Sequence, residues 1–415
     1  MKSKHLDLEV NIDPKNSFIS VKGRLTLKMI DKELKLFLNQ NLEWKSLAIF
    51  IDGEKKEVKA KKIDIPKDSF LKSVNYWKIE LPPQLIQQAS LELEFGHYGK
   101  IFQEEVSYGI GYIKEEEVEL ACYSAWYPIT TIQDHLSFSV TLFGPPNWSW
   151  IMNAPSIPCE KANCWKSNEE RIDLTLLGRH LSTAIPPTQK RRFWGAKRYF
   201  SKFEPLEQDL KDLESQLHQW LGASPVKEVR LVLVTREQGG AYNRAGLIVL
   251  PDKLPDKYFT TKKPDLFFGL IHEIGHSWFI KTDPESYHNW LDEALCDFCA
   301  LIVLGEKYGK EFVSDRLNQI HEQLKKAGEL PPIKNITRTH PKAEIVFYKY
   351  GSLILYDLSQ KIGLEIFKKA VRDFAQKSVN QEKIITKDFI HSIRNTTGQD
   401  MKDYFDKKLE NIPSI

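Results

Sequence analysis

The segment Ile271–Phe279 reads IHEIGHSWF and carries two histidines four positions apart. On a helix such residues lie on one face, one turn above the other, so His272 and His276 can point at one metal ion. Catalytic zinc commonly takes two imidazoles and a carboxylate and keeps one position open for water. Glu273, next to the first histidine, is placed to act on that water. The spacing predicts a zinc site, although the same pattern can also arise by chance.

A carboxylate that could complete the site lies on the next amphipathic segment, NWLDEALCDFCALIVLG. Glu293 sits near its start, and Asp297 follows one turn later on the same face. We expect Glu293 to be the third ligand and Asp297 to accept a hydrogen bond from the far nitrogen of one ligand histidine. The alternative is that both acids only favour the N-terminal turn of a helix.

The same segment holds a C-x-x-C pair, Cys296 and Cys299. The pair could bind a second metal or act in redox chemistry. No second cluster of cysteine or histidine completes such a site, so buried packing is the favoured interpretation. The lone histidines His288 and His340 receive no assigned role.

The elements that would position these residues form a mainly helical second part of the chain. Its apolar residues recur at helical intervals, with two strand-like runs before the histidine segment. Helices are predicted at 205–222, 264–279, 290–309, 311–328, 350–363, 364–377 and 387–395, and strands at 226–237 and 246–251.

The first part of the chain alternates apolar and polar residues with the period of half-buried strands. Strands are predicted at 6–13, 18–30, 34–39, 47–52, 90–95, 136–143 and 171–177. A run of strands without helical periods indicates a β-sandwich or a saddle-like sheet. The pattern changes at IPPTQKRRFWG, residues 185–195. We therefore predict an α+β protein with an N-terminal β domain over 1–188 and a second domain over 189–415.

Composition narrows the function classes. A chain of 415 residues is too long for one hydrophobic core, and its 41% hydrophobic and 28% charged content is typical of a soluble globular protein. The net charge of +3 argues against a nucleic-acid binder. No signal peptide or membrane span is evident. Five cysteines do not suggest a disulfide framework, so we expect a cytoplasmic protein. Because no membrane span is evident, we expect no membrane partner. The oligomeric state is not predicted.

HEIGHSW followed by NWLDEAL resembles the gluzincin zinc aminopeptidases of the alanyl-aminopeptidase and leukotriene-hydrolase type. Their pattern is His-Glu-x-x-His, a spacer, then Trp-Leu-Asn-Glu-Gly. The resemblance implies one Zn²⁺ per chain on His272, His276 and Glu293, with Glu273 as general base. It also implies a saddle-like β-sheet domain followed by a thermolysin-like catalytic domain. The spacer of sixteen residues is about two shorter than in the family, which implies a shorter loop.

A second resemblance concerns VFYKYGSLILYDLSQKIG, which is similar to the Tyr-Glu-Lys-Gly segment of the family. The match implies that Tyr348, three residues before Gly351, donates a hydrogen bond to the oxyanion of the transition state. Tyr350 takes this role if the register differs. The alternative is a tyrosine of the helix core.

The family's Gly-x-Met-Glu-Asn exopeptidase motif corresponds here to GAYNRAGLI, residues 240–248. The match implies that the edge of this strand holds the substrate backbone by β-augmentation. The residues concerned are Gly240, Ala241, Tyr242 and Asn243. However, Asn243 replaces the glutamate that binds the substrate α-amine, and Arg244 follows it. An amide cannot pair with an ammonium as a carboxylate does, and the adjacent cation would repel it.

A second amine-binding carboxylate of the family comes from its β domain. The register of EVELACYSAWYP places Glu119 at this position, with Glu117 beside it. The resemblance thus implies that one amine anchor survives while the other is replaced. Ordinary surface charge is the alternative for both residues.

Together the resemblance implies a zinc-dependent peptidase that acts on peptides, first of all an aminopeptidase releasing N-terminal residues. Asn243 keeps a second possibility open, an endopeptidase or a peptidase for atypical N-termini. A non-catalytic peptide-binding scaffold of the same fold is the third. The chain ends about where the family's catalytic domain ends, so we expect a short form that lacks the C-terminal helical domain and has a more open cleft.

Overall fold

The protein divides into two compact units. One comprises residues 1–200 and 230–253, and the other comprises residues 201–229 and 254–415. The computed structural model describes residues 4–27, 33–51, 53–67, 69–71, 73–83, 90–102, 111–130, 135–185, 192–199, 201, 206–226, 228–236, 240–252, 263–379, 381 and 383–411. The strands within these ranges lie in the first unit and the α-helices in the second. This segregation of strands and helices confirms the predicted α+β class.

Strands of the first unit are numbered in chain order. Strands β1 to β20 are Lys4–Asp13, Phe18–Leu27, Glu33–Asn39, Leu42–Ile51, Glu54–Glu57, Ala60–Ile63, Val74–Glu80, Leu91–Lys100, Tyr112–Ile113, Glu117–Leu120, His135–Phe143, Trp148–Met152, Ser156–Ile157, Asn163–Ile172, Leu176–His180, Ala184–Ile185, Phe193–Ala196, Arg230–Val234, Tyr242–Arg244 and Leu247–Pro251.

Four sheets are formed by the described strands. The largest has the order β13-β14-β11-β1-β2-β8-β4-β5, and a three-stranded sheet has the order β3-β7-β6. The other two have the orders β12-β15-β10-β9 and β16-β17-β18-β20-β19. In β1 the apolar side chains of alternate residues are buried and the polar ones between them exposed, as the period-2 pattern predicts.

One predicted strand is interrupted. The segment 171–177 was expected to be continuous, but β14 ends at Ile172 and β15 begins at Leu176. Asp173 adopts a left-handed φ of 69°, and its carboxylate accepts hydrogen bonds from Tyr127 at 3.2 Å and Thr175 at 3.1 Å. These side-chain bonds give the backbone an alternative to the ladder, which the alternation of apolar residues does not reveal.

Helices of the second unit follow the predicted positions closely. Helices α1 to α8 are Leu206–Leu221, Lys263–Gly275, Trp290–Tyr308, Lys310–Lys326, Gly351–Ile362, Leu364–Ser378, Thr386–Thr397 and Lys402–Glu410, and a π-helical segment spans Ile345–Tyr350. Helix α2 ends four residues before the predicted Phe279. The N–H groups of Ser277 and Trp278 donate to carbonyls three residues back, which tightens the last turn.

Close packing of three helices depends on two glycines. A Cβ atom on Gly275 of α2 would lie 3.0 Å from the sulfur of Cys296 in α3. A Cβ atom on Gly351 of α5 would lie 2.9 Å from the Cβ of Ala294 in α3. The missing side chains therefore let α2 and α5 approach α3, the helix that carries Glu293.

The cysteines correct one expectation. Cys159 and Cys164 form a disulfide bond, which the low and odd count did not predict. The turn between β13 and β14 brings their Cα atoms to 5.9 Å, within the range that a bridge requires. Cys296 and Cys299 are buried and carry free thiols, in line with the packing interpretation.

Two further expectations concern the domain boundary and membrane crossing. The predicted domain boundary between residues 188 and 189 lies outside the described residues and stays a prediction. Among the helices within the described ranges, none combines the length and the apolar composition that a membrane crossing needs.

Candidate metal centre

The two histidines of the predicted site lie at the end of α2. His272 is inside the helix, and His276 follows one residue after its last position. The backbone N–H of His276 still donates to the carbonyl of His272 at 3.3 Å, so the helical repeat continues for this one bond. Both side chains consequently leave the helix on the same face. His272 is buried, and His276 is largely buried, with 12% of its side chain exposed.

Glu293 approaches both imidazoles from the first turn of α3. Its Oε2 lies 3.3 Å from Nε2 of His272 and 3.4 Å from Nε2 of His276. The ligand atoms of the three residues all lie within 4.8 Å of one another. Tetrahedral ligands bound at about 2.0–2.1 Å stand about 3.3–3.4 Å apart. The donor set of two nitrogens and one oxygen therefore fits a zinc ion.

Hydrogen bonds at the far nitrogens orient both rings. Nδ1 of His272 lies 2.8 Å from Oδ1 of Asp297, and Nδ1 of His276 lies 2.8 Å from the carbonyl oxygen of Phe279. Both acceptors lack a hydrogen of their own, so each Nδ1 carries the proton and donates. In the neutral form of each ring, which is the form that binds a metal, the lone pair of Nε2 is directed towards the space that Glu293 also faces.

Asp297 connects the site to a lysine. Its Oδ2 accepts a hydrogen bond from Nζ of Lys349 at 2.8 Å, while Oδ1 accepts from His272. Burial alone would raise the pKa of Asp297, but Lys349 and the bond from His272 hold that pKa below its usual value. The carboxylate therefore stays ionised and supports His272 as a donor to a cation.

The acidic neighbours also change the proton affinity of the histidines. Burial lowers the pKa of His272, but its hydrogen bonds to Asp297 and Glu293 outweigh this effect and raise the pKa to about 10. The pKa of His276 is raised as well, because Glu293 outweighs the effect of burial. Without a metal, a proton on His272 thus occupies a position that a zinc ion would take.

An arginine holds the second oxygen of Glu293. Nη1 of Arg338 donates to Oε1 of Glu293 and, at 3.1 Å, to Oδ1 of Asn289. Burial would raise the pKa of Glu293, but Arg338 and the two histidines hold that pKa well below its usual value. The carboxylate is therefore charged, as a metal ligand must be.

Tyr348 lies in the π-helical segment and stacks on His272, with ring centroids 5.3 Å apart and planes 11° from parallel. Nη2 of Arg338 donates to its hydroxyl oxygen at 3.0 Å. Burial raises the pKa of the Tyr348 hydroxyl well above its usual value, although Arg338 opposes this, so the phenol keeps its hydrogen. Tyr350, the alternative, instead faces the carbonyl of Lys408 at 3.4 Å.

Glu273 follows His272 on α2 and is buried. Its charge adds to the effects that raise the pKa of His272, His276 and Tyr348, so the carboxylate is close enough to act on all three electrostatically. A carboxylate beside the histidines but not among the three converging ligands is positioned to exchange a proton with a reacting water.

The short spacer between the histidines and Glu293 is secured by buried hydrogen bonds. Oδ2 of Asp292 accepts from the backbone N–H of Thr282 at 3.0 Å and from its hydroxyl at 2.6 Å. Nδ2 of Asn289 donates to the same hydroxyl at 3.2 Å. These bonds fix the loop directly before the turn that carries Glu293.

The predicted substrate segment belongs to the first unit. Gly240 and Ala241 precede β19, which begins at Tyr242 and stands last in the order of its sheet. Asn243 is buried, and its side-chain oxygen accepts from the backbone N–H of Gly246 at 2.9 Å. The amide thus stabilises the turn between β19 and β20. Arg244 pairs with Asp173 at 3.0 Å.

Glu119 is fully buried in the same unit. Its Oε1 accepts from Nε of Arg236 at 3.2 Å and from the hydroxyl of Tyr242 at 2.9 Å. Arg236 also donates to the carbonyl of Gly240. Burial raises the pKa of Glu119, although Arg236 opposes this. An internal cation therefore already balances the carboxylate that the resemblance assigns to a substrate amine. Glu117 is likewise buried and paired with Arg179.

The second unit thus brings together His272, Glu273, His276, Glu293, Asp297 and Tyr348, and the first unit brings together Glu119 and the 240–243 segment. Sequence analysis did not identify Arg338 or Lys349. Lys349 adjoins Tyr348, which could have drawn attention to it. Arg338 lies in a loop without any recognisable motif, so no local signal was present.

Known proteins resemble this chain in one sequence domain and in fold. Residues 205–407 match the Peptidase family M1 domain. The chain is similar in fold to an M1 zinc metallopeptidase from Deinococcus radiodurans bound to a Tyr-Ser-Ala substrate, at 15% identity and a TM-score of 0.73, covering 100% of this chain and 96% of that chain. No curated protein sequence matches the chain.

Two further structures share the fold. One is a two-domain M1 zinc metallopeptidase bound to L-tryptophan, at 14% identity and a TM-score of 0.74, with 100% of this chain and 96% of that chain covered. The other is yeast LTA4 hydrolase in complex with bestatin, at 13% identity and a TM-score of 0.76, with 99% and 68% covered. Residues 205–407 thus belong to the Peptidase family M1 domain, and the chain as a whole shares the fold of M1 zinc metallopeptidases.

Proposed function

We propose that the protein hydrolyses peptide bonds with one zinc ion held by His272, His276 and Glu293. The observation that carries this proposal is the convergence of their three ligand atoms within 4.8 Å, with spacings of 3.3 and 3.4 Å from Glu293 to the two imidazoles. Three protein ligands leave a fourth position for water or substrate, as in catalytic rather than structural zinc sites.

The surrounding residues supply the remaining steps. When bound, zinc supplies Lewis acidity that polarises the scissile carbonyl and lowers the pKa of water. Glu273 accepts the proton of the attacking water and later delivers it to the leaving amine. Tyr348, whose hydroxyl stays protonated, donates a hydrogen bond to the oxyanion that develops in the transition state. Asp297 holds His272 in the tautomer that leaves Nε2 for the ion.

Two isosteric variants test this assignment. Glu273→Gln keeps the shape of the side chain but removes the base, so hydrolysis should fall by at least about 100-fold while the zinc content is unchanged. Glu311→Gln, an exposed site on α4, serves as the control and should behave like the parent. Peptide hydrolysis and metal content are measured on the same preparations. Retained hydrolysis in Glu273→Gln contradicts the proposed mechanism.

Release of N-terminal residues is the first specificity that we propose. The edge strand β19 and the exposed Gly240 before it can hold an extended substrate backbone by β-augmentation. The Deinococcus radiodurans relative binds a Tyr-Ser-Ala peptide, which supports a short peptide as the substrate.

A second specificity is favoured by the state of the amine-binding positions. Glu119 is buried against Arg236, and the Asn243 side chain is engaged in the turn to Gly246. Arg236 thus already balances the charge of Glu119, although the bonds named above engage only its Oε1, and Asn243 carries no charge for a substrate ammonium. An endopeptidase, or a peptidase for atypical N-termini, accordingly remains the alternative function.

A peptide-ladder assay separates the two specificities. Matched peptides with free and N-acetylated termini are incubated with the enzyme, and the products are identified by mass. Sequential loss of single residues from the free peptide only supports the aminopeptidase. Equal cleavage of both peptides supports the alternative. No hydrolysis of any peptide by zinc-loaded protein would leave the peptide-binding scaffold as the function.

The location stays a prediction. The disulfide between Cys159 and Cys164 removes the cysteine-count argument for the cytoplasm, because such bonds are rare there. Cell fractionation with a thiol-labelling assay on Cys159 measures both the compartment and the state of the bond.

A further inference from the structure

The guanidinium of Arg338 contacts both Glu293, the proposed metal ligand, and Tyr348, the proposed oxyanion donor. Nη1 of Arg338 donates to Oε1 of Glu293 and to Oδ1 of Asn289, and Nη2 donates to the hydroxyl oxygen of Tyr348. The donors of a guanidinium form a rigid planar fork, so its acceptors are held in fixed positions relative to one another. Neither the family pattern HEIGHSW nor NWLDEAL includes this residue.

We propose that Arg338 is a positioning residue that sets the orientation of Glu293 and Tyr348 together, and so couples zinc affinity to transition-state stabilisation. This inference rests on the proposed function, since it assigns Glu293 to the metal and Tyr348 to the oxyanion. The proposed action of Arg338 is indirect, through Glu293 and Tyr348.

The effect on Glu293 follows from how its two oxygens are divided. Oε1 is taken by Arg338, and Oε2 faces Nε2 of both His272 and His276. A free carboxylate can rotate and offer one or two oxygens to a cation. The bond from Arg338 prevents that rotation and leaves a single oxygen directed at the ion.

The effect on Tyr348 follows from the kind of donor that it meets. Arginine has N–H donors and no acceptor, so the phenol oxygen must accept the bond from Arg338. The hydroxyl hydrogen of Tyr348 is then directed to another acceptor. In the reaction that acceptor is the oxyanion, and Arg338 fixes the distance from which the hydrogen is donated.

The position of Arg338 is itself secured. Asn289, the third acceptor, bonds to the hydroxyl of Thr282, and the backbone N–H of Arg338 donates to the carbonyl of Pro284 at 3.3 Å. About a quarter of the arginine side chain is exposed. A substrate carboxylate could also reach a cation with this exposure, and the experiments below distinguish such a role from positioning.

The first test measures zinc affinity, because this measurement does not depend on peptide hydrolysis. The full chain is titrated with a zinc chelator of known affinity, and Arg338→Met and Arg338→Lys are compared with the parent. We expect Arg338→Met to weaken zinc binding by about 10-fold or more. Arg338→Lys keeps the charge beside Glu293 and should recover most of that loss. Arg394→Met, at an exposed arginine, should have no effect.

Kinetics provides the second test. We expect Arg338→Met, saturated with zinc, to lower kcat by about 10- to 100-fold with little change in KM. In the Tyr348→Phe background the same change should cost far less, because the group that Arg338 positions is already absent. Arg338→Lys should remain impaired in kcat, since an ammonium lacks the fork that reaches Tyr348 as well. It also serves as the test variant if Arg338→Met does not fold.

Unchanged zinc affinity in Arg338→Met, or losses in kcat that simply add to those of Tyr348→Phe, would overturn the proposal. A rise in KM limited to peptides with a free carboxylate, and absent for their C-terminal amides, would instead identify a substrate-binding arginine and also overturn it. If the zinc-loaded parent protein hydrolyses no peptide, the proposed function fails, and the zinc titration still decides the effect of Arg338 on Glu293.

Discussion

His272 and Asp297 are joined by a buried hydrogen bond of 2.8 Å between Nδ1 and Oδ1. Lys349 shares the same carboxylate from its other oxygen, also at 2.8 Å. The proposed zinc ligand is thus the first residue of a hydrogen-bonded chain of three, His272, Asp297 and Lys349. The histidine ring is held in one orientation before any ion arrives, which reduces the ordering that metal binding must impose.

Replacing Asp297 with Asn should weaken zinc binding by about 10- to 100-fold, because the amide is a poorer acceptor and leaves Lys349 without its counter-charge. The zinc affinity of purified protein, measured by chelator competition, checks this. Asp357→Asn changes an exposed acid paired with Lys408 and should bind zinc as the parent does. Equal affinities for all three proteins would show that Asp297 does not support the site.

Zinc affinity should rise with pH across the range in which His272 loses its proton. The pKa of His272 in the folded, metal-free protein is about 10, above the ordinary 6.5, because Asp297 and Glu293 overcome the effect of burial. Below that pKa a proton must leave before zinc binds, so lower pH opposes binding. Titrations at several pH values between about 6 and about 9 measure the slope.

The same pKa shift has an opposite consequence for the metal-free fold. Because the folded pKa is raised, proton binding by His272 contributes stability that is fully present below about pH 6.5 and is lost as the pH rises to about 10. Zinc should therefore raise the Tm more at pH 8 than at pH 6, measured by calorimetry with and without zinc. In Asp297→Asn this pH dependence should be smaller. A zinc effect independent of pH would argue that His272 is not a ligand.

Replacing Glu293 with Gln should abolish tight zinc binding, with a loss of at least about 100-fold. The amide is uncharged and cannot balance the two histidines, the ion and Arg338. The matched comparison is Glu273→Gln, which alters the neighbouring acid in the same way and should retain zinc. Metal analysis after dialysis distinguishes the two acids, and equal zinc contents would contradict the division into ligand and base.

A methyl group on Gly351 should destabilise the helical unit. Its Cβ would lie 2.9 Å from that of Ala294, so α5 and α3 must separate, at a cost of about 1–3 kcal/mol. Gly269→Ala is the control, because a Cβ there meets nothing within 4 Å. In that helix interior alanine should instead stabilise by about 0.5–1 kcal/mol. Urea unfolding measures the change in the free energy of unfolding for both variants. If Gly351→Ala changes it in the same direction as Gly269→Ala, the close approach of α5 and α3 does not restrict the size of residue 351.

Removal of one partner from the buried pair of Glu119 and Arg236 should be costly. Arg236→Met leaves the carboxylate without its cation and should lower the free energy of unfolding by about 3–5 kcal/mol. The double variant with Glu119→Gln removes both charges and should recover most of that loss. If the double variant is no more stable than Arg236→Met, the pair does not act as an internal ion pair.

Much of the metal centre could be predicted because helical periodicity converts spacing into direction. The four-residue interval between His272 and His276 determines that both face one side, and the amphipathic segment after them determines that Glu293 can face them from a second helix. The helix boundaries followed from the same periodicity and from glycines at the helix ends. These are local properties, set by a few consecutive residues.

Only the tertiary structure could reveal the contacts that depend on how distant segments pack. Arg338 reaches Glu293 and Tyr348 from a loop, and Lys349 reaches Asp297 through a π-helical segment. The pairing of Glu119 with Arg236 arises in the same way, between residues far apart in the chain. A side chain's type and neighbours do not specify such partners, because the distance between them is set by the path of the loops and the packing of helices and sheets.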